Sequence, residues 1–179
     1  MTYLTGSSDV HIAYPGSPLL PVSSTVLQLP SGRTILLDAG EGTYGQLARR
    51  FGSAIGDVLL SIDLIFISHI HADHHTGLAK VLKHRSMHRP MSKLYIACPP
   101  QLATYIKDLD HLQDLGLRDT QSPTVFIDNH ILLPDRRRDD YLTSLYDTLQ
   151  LNKVETVYVE HRTKAFGVVI EGRDGWIIA

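Results

Sequence analysis

Four histidines and an aspartate fall within seven residues, in the order His69-Ile70-His71-Ala72-Asp73-His74-His75. Imidazole nitrogens and a hard carboxylate oxygen are the donors that zinc and related ions select. On extended backbone the i, i+2 spacing sets His69 and His71 on one side. A bend two residues later lets Asp73 and His74 face a second, neighbouring point. The segment therefore offers ligands for two adjacent metal sites, with Ile70 and Ala72 as spacers. Two ions ~3.5–4 Å apart are the arrangement that activates water and clamps a phosphoryl group. Without an ion, so many polar rings at one bend would crowd together for no structural gain. His75 exceeds what two sites need from one loop; it either starts the following helix or supports the ligands from behind.

Such a loop needs a rigid strand to deliver it and a helix to receive it. The apolar run Leu64–Ser68 reads as a strand buried on both faces, and Gly77–His88 as a helix with basic residues on its outer side. Upstream, Ser24–Leu29 alternates and reaches the turn Pro30-Ser31-Gly32, so Thr34–Leu37 reads as its hairpin partner. Thr43–Phe51 has helical spacing. Downstream, Lys93–Ala97 is a strand, and Pro99-Pro100 opens a helix over Gln101–Leu109. Val125–Asn129 and Val154–Glu160 are strands around a helical Asp140–Leu149. Phe166–Glu171 and Trp176–Ala179 frame a hairpin turn at 172–175. Strands in pairs mixed with helices give an α/β or α+β layered domain.

The 179 residues suit one domain, read as a single unit over 1–179. Hydrophobic residues at 43% and charged residues at 20% exclude a disordered, collagen-like or coiled-coil chain. No apolar run approaches the roughly 18 residues of a membrane span, and the first residues lack the pattern of a secretory signal. No membrane partner is expected, and the expected location is intracellular. Cys98 is the only cysteine, so there is no intrachain disulfide. A net charge of −2 excludes a globally basic nucleic-acid binder but permits a local basic patch.

Three motifs carry a family resemblance. His69-x-His71-x-Asp73-His74 resembles the signature of the metallo-β-lactamase superfamily, and the wider stretch FISHIHADHHTGL, residues 66–78, resembles the metal loop of the tRNase Z family. Upstream, LLDAGEGTYGQLARRFG, residues 36–52, is similar to that family's first block, with Ala39 where the family has cysteine. Downstream, His161 followed by Ala165-Phe166-Gly167 resembles the family's next metal-histidine segment, with the spacing of the C-terminal catalytic half of the long form.

The resemblance implies a metallo-β-lactamase-like αβ/βα sandwich and a zinc-dependent endoribonuclease. Its reaction would remove 3′ trailers from precursor tRNA by attack of metal-activated water on a phosphodiester. His69, His71 and His161 would hold one zinc; Asp73 and His74 would hold the other, and Asp73 would also be the catalytic group that orients or deprotonates the water. Asp38 would support the loop through hydrogen bonds, although by itself it also reads as an ordinary strand-end aspartate. Partners implied are precursor tRNA and, as in long forms, an N-terminal half-domain; location would be nuclear, mitochondrial or both, with cytoplasm also open.

The family's bridging-aspartate motif would begin where this sequence stops, inside the apolar Trp176-Ile177-Ile178. The expectation is therefore an incomplete sandwich: the first half plus opening strands of the second, with Phe166–Ile170 and Trp176–Ile178 unusually exposed. At most about one zinc would bind tightly, and the chain alone would be inactive. A last strand that simply forms a sheet edge is the other explanation of that ending. The family's tRNA-reading loop is not recognisable in Tyr14–Pro21. For RNA the stretch with Lys80, Lys83, Arg85 and Arg89 is read equally as a phosphate-contacting face or a solvated helix face, while Arg136–Arg138 reads as a solvated turn. Alternatives are a truncated or inactive paralogue that binds zinc without catalysis, and another hydrolase of the superfamily.

Overall fold

The computed structural model describes residues 4–5, 11–13, 23–88, 92–121, 123–135 and 140–179. The Tyr14–Pro21 loop, Arg89 and Arg136–Arg138 lie outside them. In chain order the strands and helices are β1 (Leu4–Thr5), β2 (His11–Ala13), β3 (Thr25–Gln28), β4 (Thr34–Leu37), α1 (Thr43–Phe51), α2 (Ile55–Ser61), β5 (Ile62–Phe66), α3 (Ala72–His75) and α4 (Leu78–Met87). They continue with β6 (Leu94–Cys98), α5 (Pro100–Gln113), β7 (Thr124–Asp128), α6 (Asp140–Leu149), β8 (Leu151–Val159), β9 (Ala165–Gly172) and β10 (Ile177–Ile178).

Two sheets result. The larger has the order β2-β3-β4-β5-β6-β7, antiparallel through β4 and parallel from β4 to β7. β5 and β6 are buried at every position, as strands of a parallel sheet covered on both faces should be. Helices α1, α2, α4 and α5 cover one face through Leu47, Leu59, Val81, Leu82, Leu102 and Ile106. The other face meets the smaller antiparallel sheet, β1-β10-β9-β8, across a core that includes Leu64, Tyr95, Val154, Phe166 and Ile170. Helix α6 closes that core with Leu142, Leu145 and Leu149. The α/β layers expected from the strand and helix pattern are therefore present. Because β4, β5, β6 and β7 run parallel, the loops leaving them share one edge. Ligand sites of open α/β sheets form at such carboxyl edges.

Three expectations need correction. The strand before the histidine loop is Ile62–Phe66 rather than Leu64–Ser68. α2 runs directly into it, and its polar second residue, Asp63, is buried and paired with Arg33 at 3.0 Å. Arg85 is no part of an outer basic face: it is 4% exposed and donates to the Ile62 carbonyl and to Ser92. Nor are Phe166, Ile170, Trp176 and Ile178 exposed, because they face the larger sheet, which the chain itself supplies. In β8 and β10 the exposed apolar side chains are instead Val157, Tyr158, Val159 and Ile177. No helix among the described residues is long and apolar enough to cross a membrane.

Candidate metal centre

The centre is built at the carboxyl edge of the parallel strands. Asp38 leaves β4 with φ 57°, a left-handed conformation that aspartate tolerates better than most residues. That turn aims its carboxylate at the end of β5, where Oδ1 accepts hydrogen bonds from the Ser68 N–H (2.8 Å) and Ser68 Oγ (3.0 Å). Oδ2 lies 2.8 Å from His74 Nδ1. Two backbone approaches lock the loops together. Ala39 donates to the His74 carbonyl, and Gly77 donates to the Ala39 carbonyl. A Cβ at Gly40 would come within 2.0 Å of the Asp73 carbonyl oxygen, and one at Gly77 within 2.1 Å of the Gly40 oxygen. Glycine is required at both positions by close approach.

His69, His71 and His161 each offer one ring nitrogen, and these nitrogens lie within 4.8 Å of one another. His71 Nδ1 is 3.0 Å from His69 Nε2 and 3.0 Å from His161 Nε2. A tetrahedral zinc with bonds of about 2.0–2.1 Å has ligand nitrogens ~3.3 Å apart, so the donor set fits that ion in both chemistry and spacing. His161 comes from the bend after β8 in the smaller sheet. It is held at the site by the backbone bond from Phe166 N–H to the Ser68 carbonyl, 3.1 Å, which ties the sheets together beside the triad. Ser68 Oγ is 2.9 Å from His69 Nδ1, leaving Nε2 for the centre.

His74 and Asp73 lie on the same loop. The His74 ring centroid is 4.0 Å from that of His69. With Nδ1 engaged by Asp38, its Nε2 lies 3.5 Å from Asp73 Oδ2 and 3.4 Å from Ser23 Oγ. The sequence-expected ligands therefore gather in one place, although nearly ninety residues separate His161 from the loop. His75 ends α3, and its Nε2 donates to the Ile70 carbonyl at 3.1 Å, bracing the loop from within.

Electrostatics separates the imidazoles of buried His69 and half-buried His74. Burial, then the neighbouring rings of His74, His161 and His71, push the His69 pKa down to about 4. His69 is thus neutral at pH 7, the form that binds a metal. The hydrogen bond to Asp38 raises His74 instead, against the effect of burial.

Sequence reasoning missed Ser68, the hub joining Asp38, His69 and the loop; its position immediately before the first ligand was the available signal. It also missed Asn129, fully buried after β7, whose side-chain amide N–H donates to the Ile67 carbonyl while its backbone carbonyl accepts from the Thr156 hydroxyl. Of the basic residues, Lys80 is exposed with Nζ 5.8 Å from the Tyr44 ring centroid. Lys83 donates to the Asp114 carbonyl at 2.9 Å.

This chain belongs to the metallo-β-lactamase superfamily, whose profile matches residues 17–161. Within it, the tRNase Z resemblance of the three motifs is matched by curated relatives. Zinc phosphodiesterase ELAC protein 2 of Mus musculus is 34% identical over 161 residues, 87% of this chain and 19% of the relative. Ribonuclease Z 1 of Schizosaccharomyces pombe is 35% identical over 174 residues, 88% of this chain and 21% of the relative. The chain spans about a fifth of the length of these relatives. In fold it matches a long form RNase Z from yeast with TM-score 0.76 and 23% identity, over 85% of this chain and 25% of that one. It also matches the short form of human tRNase Z with TM-score 0.59 and 24% identity, over 97% and 64%. The αβ/βα sandwich type is the fold of this chain.

Proposed function

We propose that the chain carries the zinc-binding core of a phosphodiesterase that cuts RNA, with the 3′ end of precursor tRNA as substrate. The observation that carries this reading is the convergence of His69, His71 and His161 beside an Asp38-ordered His74 and Asp73. The names of the relatives, zinc phosphodiesterase and ribonuclease Z, support the substrate class. Zinc at such a centre supplies a Lewis acid for the phosphoryl oxygen and lowers the pKa of water.

The residues of the chain do the rest. His69, His71 and His161 form the three-imidazole set for one ion. Asp73 and His74 offer two donors toward a second, which holds it less tightly, so about one zinc per chain binds firmly. Asp73, half-exposed and 3.5 Å from His74 Nε2, would accept a proton from the attacking water. Asp38 and Ser68 fix the tautomers of His74 and His69. Lys80, beside the Tyr44–His84 ring stack with centroids 3.7 Å apart, is the phosphate contact of choice, with Lys83 behind it. A relative named Ribonuclease Z, mitochondrial, in Drosophila melanogaster supports a mitochondrial location, and the nucleus is the other compartment of this reading.

The test is zinc content together with cleavage of precursor tRNA and of bis-p-nitrophenyl phosphate, comparing the wild-type chain with His71→Ala. Firm binding of about one zinc per chain, lost in the variant, is expected. Cleavage by the chain alone should be poor or absent, because the second position has only Asp73 and His74. Zinc-dependent cleavage lost in the variant would overturn that inactivity and uphold the phosphodiesterase reading directly. A wild-type chain that binds no zinc sinks the metal centre. One that binds zinc firmly but cleaves neither substrate is also what the other reading, zinc binding without catalysis, expects.

A further inference from the structure

A cavity of about 330 Å³ opens beside the histidine triad and has no part in holding the metal. Its lip is shared with the centre: Ile70 sits between His69 and His71, and Thr163 and Lys164 follow His161. Pro99, Pro100 and Phe166 wall it. The His130 ring, on the same wall, meets Phe166 edge to face with centroids 5.0 Å apart. Tyr158, 60% exposed, extends this aromatic surface, its ring centroid 5.1 Å from that of Phe166.

The walls are apolar and flat, and the polar atoms are few and separate. Thr163 Oγ1 is buried without a hydrogen-bond partner. His130 is held through Nδ1 by Asp128 at 2.8 Å, which leaves its Nε2 for another contact. The exposed Gln101 side chain can both donate and accept, and Lys164 is a cation at the mouth. A bare phosphate has no use for apolar walls, and an aliphatic group has no use for the polar edge. A flat heterocycle with donors and acceptors on its rim, attached to an anion at the metal centre, uses both. The volume lies at the small end of ligand sites, which start at roughly 300 Å³, and so suits one base with part of its sugar.

We infer that this cavity binds the unpaired nucleobase next to the scissile phosphate, with the phosphate lying between the histidine triad and Lys164. The inference rests on the phosphodiesterase reading for the position of the phosphate. Gln101, Thr163 and His130 then contact the edge of the base while Pro99 and Phe166 supply its apolar surroundings.

Nucleotide binding to the zinc-loaded chain tests this by amide NMR titration with the nucleoside 5′-monophosphates and with ribose 5-phosphate, which has the same anion and no base. Expected are shifts at Ile70, Gln101 and Lys164 and an affinity for at least one monophosphate roughly tenfold above that for ribose 5-phosphate. Gln101→Trp, which fills the cavity from an exposed position, should abolish that preference; Lys164→Glu should weaken both ligands together. Equal affinity for the two ligand types, or shifts confined to other surfaces, overturns the base site. Hydrolysis of bis-p-nitrophenyl phosphate separates the two readings. Zinc-dependent hydrolysis without base preference defeats the base site alone, and base preference without hydrolysis upholds the base site while the phosphodiesterase reading gains nothing from this chain by itself.

Discussion

The carboxylate of Asp38 and the imidazole of His74, 36 residues apart, meet at 2.8 Å, and through that bond the first block of the sequence sets the orientation of the metal loop. Asp38 also caps the end of β5 through Ser68, so one side chain fixes both the strand end and the ring. Asp38→Ala should weaken zinc binding about 10–100-fold, the usual effect of losing such a support. Zinc competition with a chromophoric chelator measures this directly. An unchanged affinity would mean that the loop holds its own geometry.

Gly40→Ala and Gly77→Ala should each destabilise the chain by about 1–3 kcal/mol, since the clashing atoms are backbone oxygens that cannot swing away. Gly45→Ala in α1 is the control. Nothing lies within 4 Å of its added methyl, and a helical alanine should stabilise by up to about 1 kcal/mol. Urea unfolding of the three variants gives the comparison.

Burial pushes the Cys98 thiol up to about 12. The thiolate is the reactive form, so iodoacetamide at pH 8 should leave the folded chain unlabelled and modify it only as urea unfolds it. Rapid labelling without denaturant would show that β6 opens locally.

Burial would raise the Asp110 carboxyl, but the Leu115 N–H at 2.7 Å, Arg118 Nε at 3.0 Å and the Leu117 N–H together hold it below its ordinary value. A folded pKa below the unfolded one gives stabilisation that is complete above about 3.8 and lost as pH falls through the folded value. Asp110→Asn should therefore cost about 1–3 kcal/mol at pH 7, with the gap to wild type narrowing in acid. A difference independent of pH would assign the effect to shape alone.

Arg85 and Lys80 stand on the same helix with opposite expected phenotypes. Arg85→Ala removes buried hydrogen bonds to Ile62 and Ser92 and should lower stability by about 1–3 kcal/mol. Lys80→Ala should leave the melt unchanged and weaken RNA binding, with a shallower salt dependence. Paired melting and filter-binding curves check both.

Local signals in the sequence were strong where one element explains itself. The helical spacing of Thr43–Phe51 and Asp140–Leu149 matches α1 and α6 end to end. The His69–His75 spacing contained most of the metal loop, because its ligands are neighbours in the chain. What could not be read depended on distant partners. The strand begins two residues earlier than its apolar run, because Asp63 can be buried once Arg33 stands beside it, and Arg85 looked like surface until β5 and Ser92 surrounded it. The burial of Phe166 and Trp176 followed from the larger sheet standing opposite, a relation that no window of sequence contains. Ser68 escaped for the same reason: its hydroxyl gains meaning only when Asp38 and His69 arrive from either side.

The bond from Phe166 to Ser68 lies on a seam, and the triad straddles it: His69 and His71 belong to one sheet's edge, His161 to the other's. An ion shared by these three is a rivet through two plates. Its binding free energy adds to the cohesion of the sheets by mass action, about 4.1 kcal/mol at a thousandfold excess over Kd. Metal supply would then regulate how long the protein persists as well as whether it reacts. In zinc-starved conditions the smaller sheet is the part that loosens first, and amide exchange along β8 and β9 would report it.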